Sequence, residues 1–391
     1  MLVANENKSF VGTYVLGMGL TFDDTDKKQV ASPLSRMHEL IASNPHNGER
    51  IFPYLGGEEV NDDPEHSHHR YVINFEDFPL KRTPQSPSWA DADDNWRKGC
   101  LKSGIVPHDY PSPVAEDWPD LLEIVEGRVK PERLMDNREN YRRYWWRFAE
   151  RRPGLVARLG LIDRAFVVSQ TSHNLAVARV SARVVFSHTT IVFPVTEWRF
   201  FSVLQSSVHS VWYGVFASTL KDDQRYIPSD CFATFPFPAN YEHAQALEAA
   251  GREYYDFRAA LMVRNKQGLT KTYNRFHDPE EQSDDVRKLR DLHHAMDLAV
   301  LGAYGWTDIQ PLPRHETEFE EDQTEDDEFS SAKKPKQKYR LRWPEEIRDD
   351  VLARLLILNE QRAAAEALEP KTKKKKSKHA ATSQLDFADS E

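Results

Sequence analysis

Four short runs rich in β-branched residues, AFVVS, LAVARV, ARVVF and TTIVF, fall in the 29 residues from Ala165 to Phe193. Their Val, Ile and Phe content suits a pleated, half-buried surface, so a sheet is expected there. The pattern then changes. Glu197 to about Phe216 reads as a helix with Thr196 as its N-cap, and CFATFPFP as a strand ended by prolines. From Tyr241 to Gly302 the apolar residues recur at helical spacing, with Leu247, Ala250, Tyr254, Phe257 and Leu261 on one stripe. In the next segment, DPEE is expected to start a second helix: Asp278 as cap, Pro279 in the first turn and Glu281 completing the box. Val286, Leu289, Leu292, Met296 and Val300 form its apolar face. Strands followed by long helices predict an α+β fold.

The N-terminal part is more broken. Glycines punctuate SFVGTYVLGMGLTF, a helix is expected from Ser32-Pro33 to about Ala42, and ERIFPYL and RYVINF read as strands. Residues 81–119 are rich in Pro and Trp, which predicts an ordered loop or insertion that buries Trp89, Trp96 and Trp118. Helical spacing returns from Pro119 to about Ala149. The expected domains are a mixed-sheet unit over 1–240, a helical unit over 241–310, an acidic and Lys/Pro linker over 311–338, a helix over 339–369 and a disordered basic tail over 370–391.

Composition removes several classes. A chain of 391 residues can bury more than one sizeable core. No run of eighteen apolar residues exists, which argues against a membrane span, and MLVANENKSF does not read as a signal peptide. Two cysteines, Cys100 and Cys231, cannot build a disulfide framework, so a cytoplasmic protein is expected. The net charge of −10 excludes nothing, because nine acids and no base lie between Glu316 and Glu328.

Among candidate sites, Arg138–Arg152 stands out. Arg138, Arg142, Arg143, Arg147, Arg151 and Arg152 alternate with Tyr141, Tyr144, Trp145, Trp146 and Phe148. On one helix this spacing would gather guanidinium groups on one face, able to neutralise phosphates, opposite an aromatic face. The bland alternative is a solvated basic face. Lys371, Lys373–Lys376 and Lys378 could add non-specific DNA affinity or merely solvate the tail. His66, His68 and His69 are metal-ligand types, but PEHSHHR reads as a surface loop and no metal is expected. No phosphate loop, no G-x-S-x-G elbow and no complete dinucleotide fingerprint occurs, and no residue of this chain is nominated as catalytic.

The order of several segments resembles the large bacterial DNA adenine methyltransferases of phage defence, the Type IIG/IIL restriction–modification proteins and the BREX and DISARM methylases. The segments include SFVGTYVLGMGLTF, ERIFPYLGGEEVN, RYVINFEDFPL, SWADAD, GIVPHDYPSPVAEDWPDLLEIVEGRVKPER, YWWRFAERRPGL, VLQSSVHSVWYG, RYIPSDCFATFPFP, GLTKTYNRFHDP, LHHAMDLAVLGAYGW and LLILNEQRAAAE. The resemblance implies a target recognition domain followed by a helical region. In that family the S-adenosylmethionine loop and the Asn-Pro-Pro-aromatic motif lie upstream of such segments. The expectation is a detached specificity part, a split subunit or a truncated product, with double-stranded DNA and a separate methyltransferase subunit as partners. No cofactor is expected on this chain, and S-adenosylmethionine would sit on the catalytic partner. The resemblance places base contacts at Lys221, Asp223 and Arg225, while Arg142, Arg143, Arg147 and Arg151 would hold the backbone. Chemically, Lys221 or Arg225 can donate to guanine and Asp223 can accept from cytosine. Two rival classes are a complete but divergent methyltransferase and a docking module of a defence complex.

Overall fold

The computed structural model describes residues 2–220, 223–311, 319–321 and 339–368. The basic tail and most of the acidic and Lys/Pro linker lie outside the described residues. Within the expected linker, Phe319–Glu321 forms a strand antiparallel to Tyr339–Leu341.

The expected sheet forms around Arg164–Ser169. Its order is Phe10–Val11, Thr190–Phe193, Arg164–Ser169 and Ala178–Ser181, antiparallel throughout. Ala165, Phe166, Val167 and Val168 are all buried, so both faces of that strand are covered. A near-continuous apolar run is what such a strand requires. Phe166 packs on Trp198, Phe200 and Phe201 of the helix Trp198–Gln205, and that helix packs on the long helix Gln245–Asn265.

A second sheet has the order Val185–Phe186, Ile51–Leu55, Arg70–Ile73 and Thr21–Phe22. Its first pair is parallel, and the others are antiparallel. It buries one face against the helix Pro119–Arg128 and the aromatic residues Trp118, Trp145, Trp146 and Phe148. The two sheets meet at the turn Ser187–Thr189, because Val185–Phe186 joins one and Thr190–Phe193 the other. At this junction Gly12 approaches so closely that a Cβ would stand 2.0 Å from the Ser187 carbonyl oxygen. Close packing of backbone is therefore the reason for a glycine in this motif.

Residues 81–119 are ordered, as expected for so many Trp and Pro. They hold a parallel strand pair, Lys81–Thr83 with Ile105–Pro107, and the helix Asp94–Ser103. Asp93 caps that helix by accepting from the Trp96 amide at 2.8 Å, and Gly104 ends it in the left-handed region. Trp118 is fully buried, while Trp89 and Trp96 flank a small core of Cys100, Val106 and Val114.

Several expected elements differ. Glu197–Phe216 is two helices, Trp198–Gln205 and Ser207–Phe216, because Ser206 is extended and caps the second. The buried Asp297 carboxylate accepts from the Ser207 amide at 2.7 Å and its hydroxyl at 2.8 Å, which satisfies donors that a helix start leaves open. Thr196 is not the cap; Glu197 holds that position. CFATFPFP is no strand: Pro228–Phe232 forms one wide helical turn, and Phe232, Phe235 and Phe237 are all buried. Asp278 does not start the next helix, which runs Asp284–Tyr304 behind Ser283. Arg290 donates to the carbonyls of Phe276, Asp278 and Glu281 and holds that stretch as a loop. Glu281 is engaged by Arg275 at 2.8 Å, which holds its carboxyl down at about 2.

The helices Gln245–Asn265, Leu269–Phe276, Asp284–Tyr304 and Glu345–Leu368 share one hydrophobic core with the central sheet, with no break near residue 240. Arg258 lies at its centre. It donates to Gln205 Oε1 at 3.2 Å, to the Tyr273 hydroxyl at 2.9 Å and to the Val177 carbonyl. Among the described residues no helix is long and apolar enough to cross a membrane.

Candidate nucleic-acid interface

The helix Ser207–Phe216 delivers the chain into a small three-stranded sheet. Ser218–Leu220 pairs with Asp223–Arg225 across a two-residue connection, in the register Ser218 to Arg225 and Leu220 to Asp223. The third strand, Thr171–Ser172, pairs with Arg225 and Gln224. Side chains alternate along a strand. Gln224 and Tyr226 point inward, Gln224 lining a cavity of about 380 Å³, and Arg225 is exposed. Lys221 lies outside the described residues, and for Asp223 only the backbone position is described, at the hairpin end.

The root of the hairpin is held by Tyr226. Its amide donates to the Gln170 carbonyl at 2.7 Å, its ring stacks on Tyr213, and its hydroxyl lies 3.0 Å from His209 Nε2. His209 is fully buried, and burial pulls its imidazole down to about 3 from the usual 6.5. The folded chain therefore keeps His209 neutral where the unfolded chain protonates it. Below about pH 6.5 the unfolded state binds the extra proton, so stability falls as pH drops from 6.5 toward 3. Each pH unit well inside that window costs up to about 1.4 kcal/mol. H209Q is expected to flatten that slope in urea midpoints measured from pH 7 to pH 4, and an unchanged slope would refute the assignment.

On the outward side the charge of Arg225 acts on His188, which comes from another element. His188, on the turn joining the two large sheets, stands edge-on to Tyr14 at 4.7 Å. Burial lowers its pKa, Glu150 opposes that, and the charges of Arg152 and Arg225 press it down again. Arg152 pairs with Glu150 at 2.5 Å, and the Glu150 and Tyr14 backbones exchange hydrogen bonds at 3.0 Å. Arg225 and Arg152 thus both act electrostatically on His188, at the junction of the two large sheets. Sequence reading missed His188, and a lone His between two strands carried no signal of that coupling.

The arginine–aromatic stretch does not form the expected helical face. Only Glu139–Arg143 is helical, and Trp145, Trp146, Arg147 and Phe148 are all buried in a turn after it. Four consecutive buried residues would cover nearly every side of a helix, so the chain wraps instead. The arginines consequently have different jobs. Arg142 is half-buried and donates to the Asp136 carbonyl at 2.5 Å. Arg143 is exposed and paired with Glu139 one turn away. Arg151 stands half-buried against Asp77. Arg147 is only 9% exposed, and its Nε and Nη2 donate to the Phe78 carbonyl at 3.0 and 2.8 Å. Burial lowers its guanidinium to about 10. Arg133, which the sequence reading passed over, is buried too and donates to the carbonyls of Val15, Leu16 and Arg147. Arginine density in this stretch is in part a means of satisfying buried carbonyls.

His66, His68 and His69 do not converge. His66 turns to the Val60 carbonyl at 2.8 Å, His68 packs edge-on to Tyr71, and His69 lies 3.6 Å from Glu59. Among the described residues no group of three or more potential ligands gathers.

Residues 115–239 match the family model of the MmeI target recognition domain. The segment takes in the arginine–aromatic stretch, three strands of the central sheet and the hairpin that carries Arg225. Among solved structures, the Type IIL restriction–modification enzyme MmeI in complex with DNA is similar in fold. The superposition has a TM-score of 0.54 at 16% identity and covers 91% of this chain and 36% of that one. This chain therefore spans little more than a third of that enzyme's length. No curated protein matches the chain in sequence. The expected resemblance to Type IIG/IIL recognition domains is borne out, and so is the α+β fold. The matched region stops short of the whole unit: the edge strand Phe10–Val11 and the helices after residue 240 lie outside it and complete its sheet and core.

Proposed function

We propose that this chain reads DNA sequence for an adenine-N6 methyltransferase of the restriction–modification and phage-defence kind, of which BREX and DISARM are candidate settings. The observation that carries the reading is the exposed Arg225 on a rooted hairpin inside the segment that matches a target recognition domain. The guanidinium fork of Arg225 suits the O6 and N7 edge of guanine, and Lys221 and Asp223, near it in sequence, are by type a further donor and an acceptor. Arg142, Arg143 and Arg151 remain candidates for phosphate, where contacts set position rather than sequence. Arg147 acts from inside, by holding the Phe78 carbonyl. S-adenosylmethionine and the flipped adenine belong, in this reading, to a catalytic partner, either another subunit or another part of a longer protein. A cytoplasmic setting follows from that role.

The test is binding of the purified chain to a random duplex pool at two salt concentrations, with the retained DNA sequenced. Affinity is expected to fall about tenfold or more between 50 and 200 mM salt, as a few phosphate contacts require, and a motif should be enriched. A salt slope without a motif would sink the specificity reading. No binding at low salt would leave the docking-module alternative in its place.

A further inference from the structure

The sheet that carries Arg225 is too small to hold its own geometry. Its edge strand Thr171–Ser172 makes only two residue pairs with the middle strand Asp223–Arg225. Sheets of this size have little stability alone. Directly after Ser172 the chain runs irregularly through His173–Val177 before entering the central sheet at Ala178. Side chains from elsewhere hold this segment. Gln205 Oε1 accepts from the Val177 amide at 2.8 Å, and Gln205 Nε2 donates to the Leu175 carbonyl at 3.2 Å. The two residues next to the hairpin sheet are held by Arg340 instead. Its guanidinium donates to Asn174 Oδ1 and, at 2.6 Å, to the His173 carbonyl. Both Arg340 and Asn174 are less than a tenth exposed.

Arg340 works from a firm base. Its neighbour Leu341 is buried, and the Leu341 amide donates to His277 Nδ1 at 3.2 Å. Trp343, Val351 and Leu355 carry the following segment into the larger core. The planar fork spans two acceptors on consecutive residues, which sets their direction as well as their distance. A lysine at the same place would supply only a point charge.

We propose that Arg340 is a positioning residue for base reading. Through His173 and Asn174 it fixes the Thr171–Ser172 strand, and through that strand the register and aim of Asp223–Arg225. The proposal rests on the DNA-reading function. It makes the C-terminal strand, which lies outside the matched region, part of the specificity device.

The test uses R340A, R340K and N174A in the full chain, with three measurements. Amide hydrogen exchange is followed over 170–174 and 218–226, together with discrimination between the selected DNA site and single mismatches, and affinity for random duplex. R340A should speed exchange in those two segments about tenfold while the helices Gln245–Asn265 and Asp284–Tyr304 keep their protection. Discrimination should drop about tenfold, within the usual range for one base pair, and random-duplex affinity should change less than twofold. R340K should recover only part of the loss. If R340A does not fold, N174A carries the test, because it removes one acceptor and leaves the arginine in place. Exchange unchanged in the two segments, or raised throughout the helices as well, would overturn the proposal. The exchange arm needs no DNA. A wild-type chain that selects no motif would therefore defeat the DNA-reading function while the tether was still measured on its own.

Discussion

Replacing Arg258 with alanine is expected to destabilise the fold by about 2–5 kcal/mol, the sum of a buried cavity and of neutral acceptors left without their donor. The side chain is 1% exposed and is enclosed by the rings of Phe201, Tyr254, Tyr255 and Tyr273. Truncation strips donors from the Val177 carbonyl, Gln205 Oε1 and the Tyr273 hydroxyl, and it leaves a cavity among aromatic rings. These acceptors sit on a loop and two helices, so their loss loosens the contact between the central sheet and the helical part together. The measurement is the urea midpoint at constant slope, since a changed slope would report a change in compactness instead. R258M keeps most of the volume and should lose less than R258A. A shift under about 1 kcal/mol for R258A would show that the network is incidental to stability.

R225A is expected to weaken binding to the selected DNA site by about 1–3 kcal/mol, roughly five- to 150-fold, if Arg225 reads a guanine. The enriched motif should lose one defined position. Affinity for random duplex should change little, because one exposed charge among several contributes about one unit of salt slope at most. R225K should fall between the two, retaining the charge without the two-pronged geometry. The fold should be unaffected, since Arg225 faces outward and Tyr226 roots the hairpin. A uniform loss across all sequences, with the motif intact, would make Arg225 a phosphate contact and move base reading elsewhere.

The fold was legible wherever apolar residues form a continuous run or a helical stripe. AFVVS and TTIVF became paired central strands, and the stripe at Leu247, Tyr254 and Leu261 became the buried face of one long helix. It was illegible where distant side chains complete a local need. The helix start after Ser206 depends on Asp297, ninety residues beyond Ser207, and the loop at Asp278 depends on Arg290. Neither partner can be read from the residues beside the break. The hairpin around Arg225 was located through the resemblance, whereas its electrostatic coupling to His188 was not, because a corner between two sheets joins residues with no common period.

What the sequence by itself determined is the α+β class, the positions of the main strands and helices, and the match of 115–239 to a recognition domain. These follow from local hydrophobic spacing and from the linear order of motifs, which survive without knowledge of contacts. Only the tertiary structure decided the roles of the arginines. Arg142, Arg143, Arg147 and Arg151 look equivalent on the page, yet Arg147 serves a buried carbonyl while Arg143 is exposed. Arg258 and Arg340 gave no sequence signal, yet one ties the core together and the other holds the His173–Asn174 segment. A guanidinium acts according to the acceptors that surround it, and those come from segments brought together only by folding.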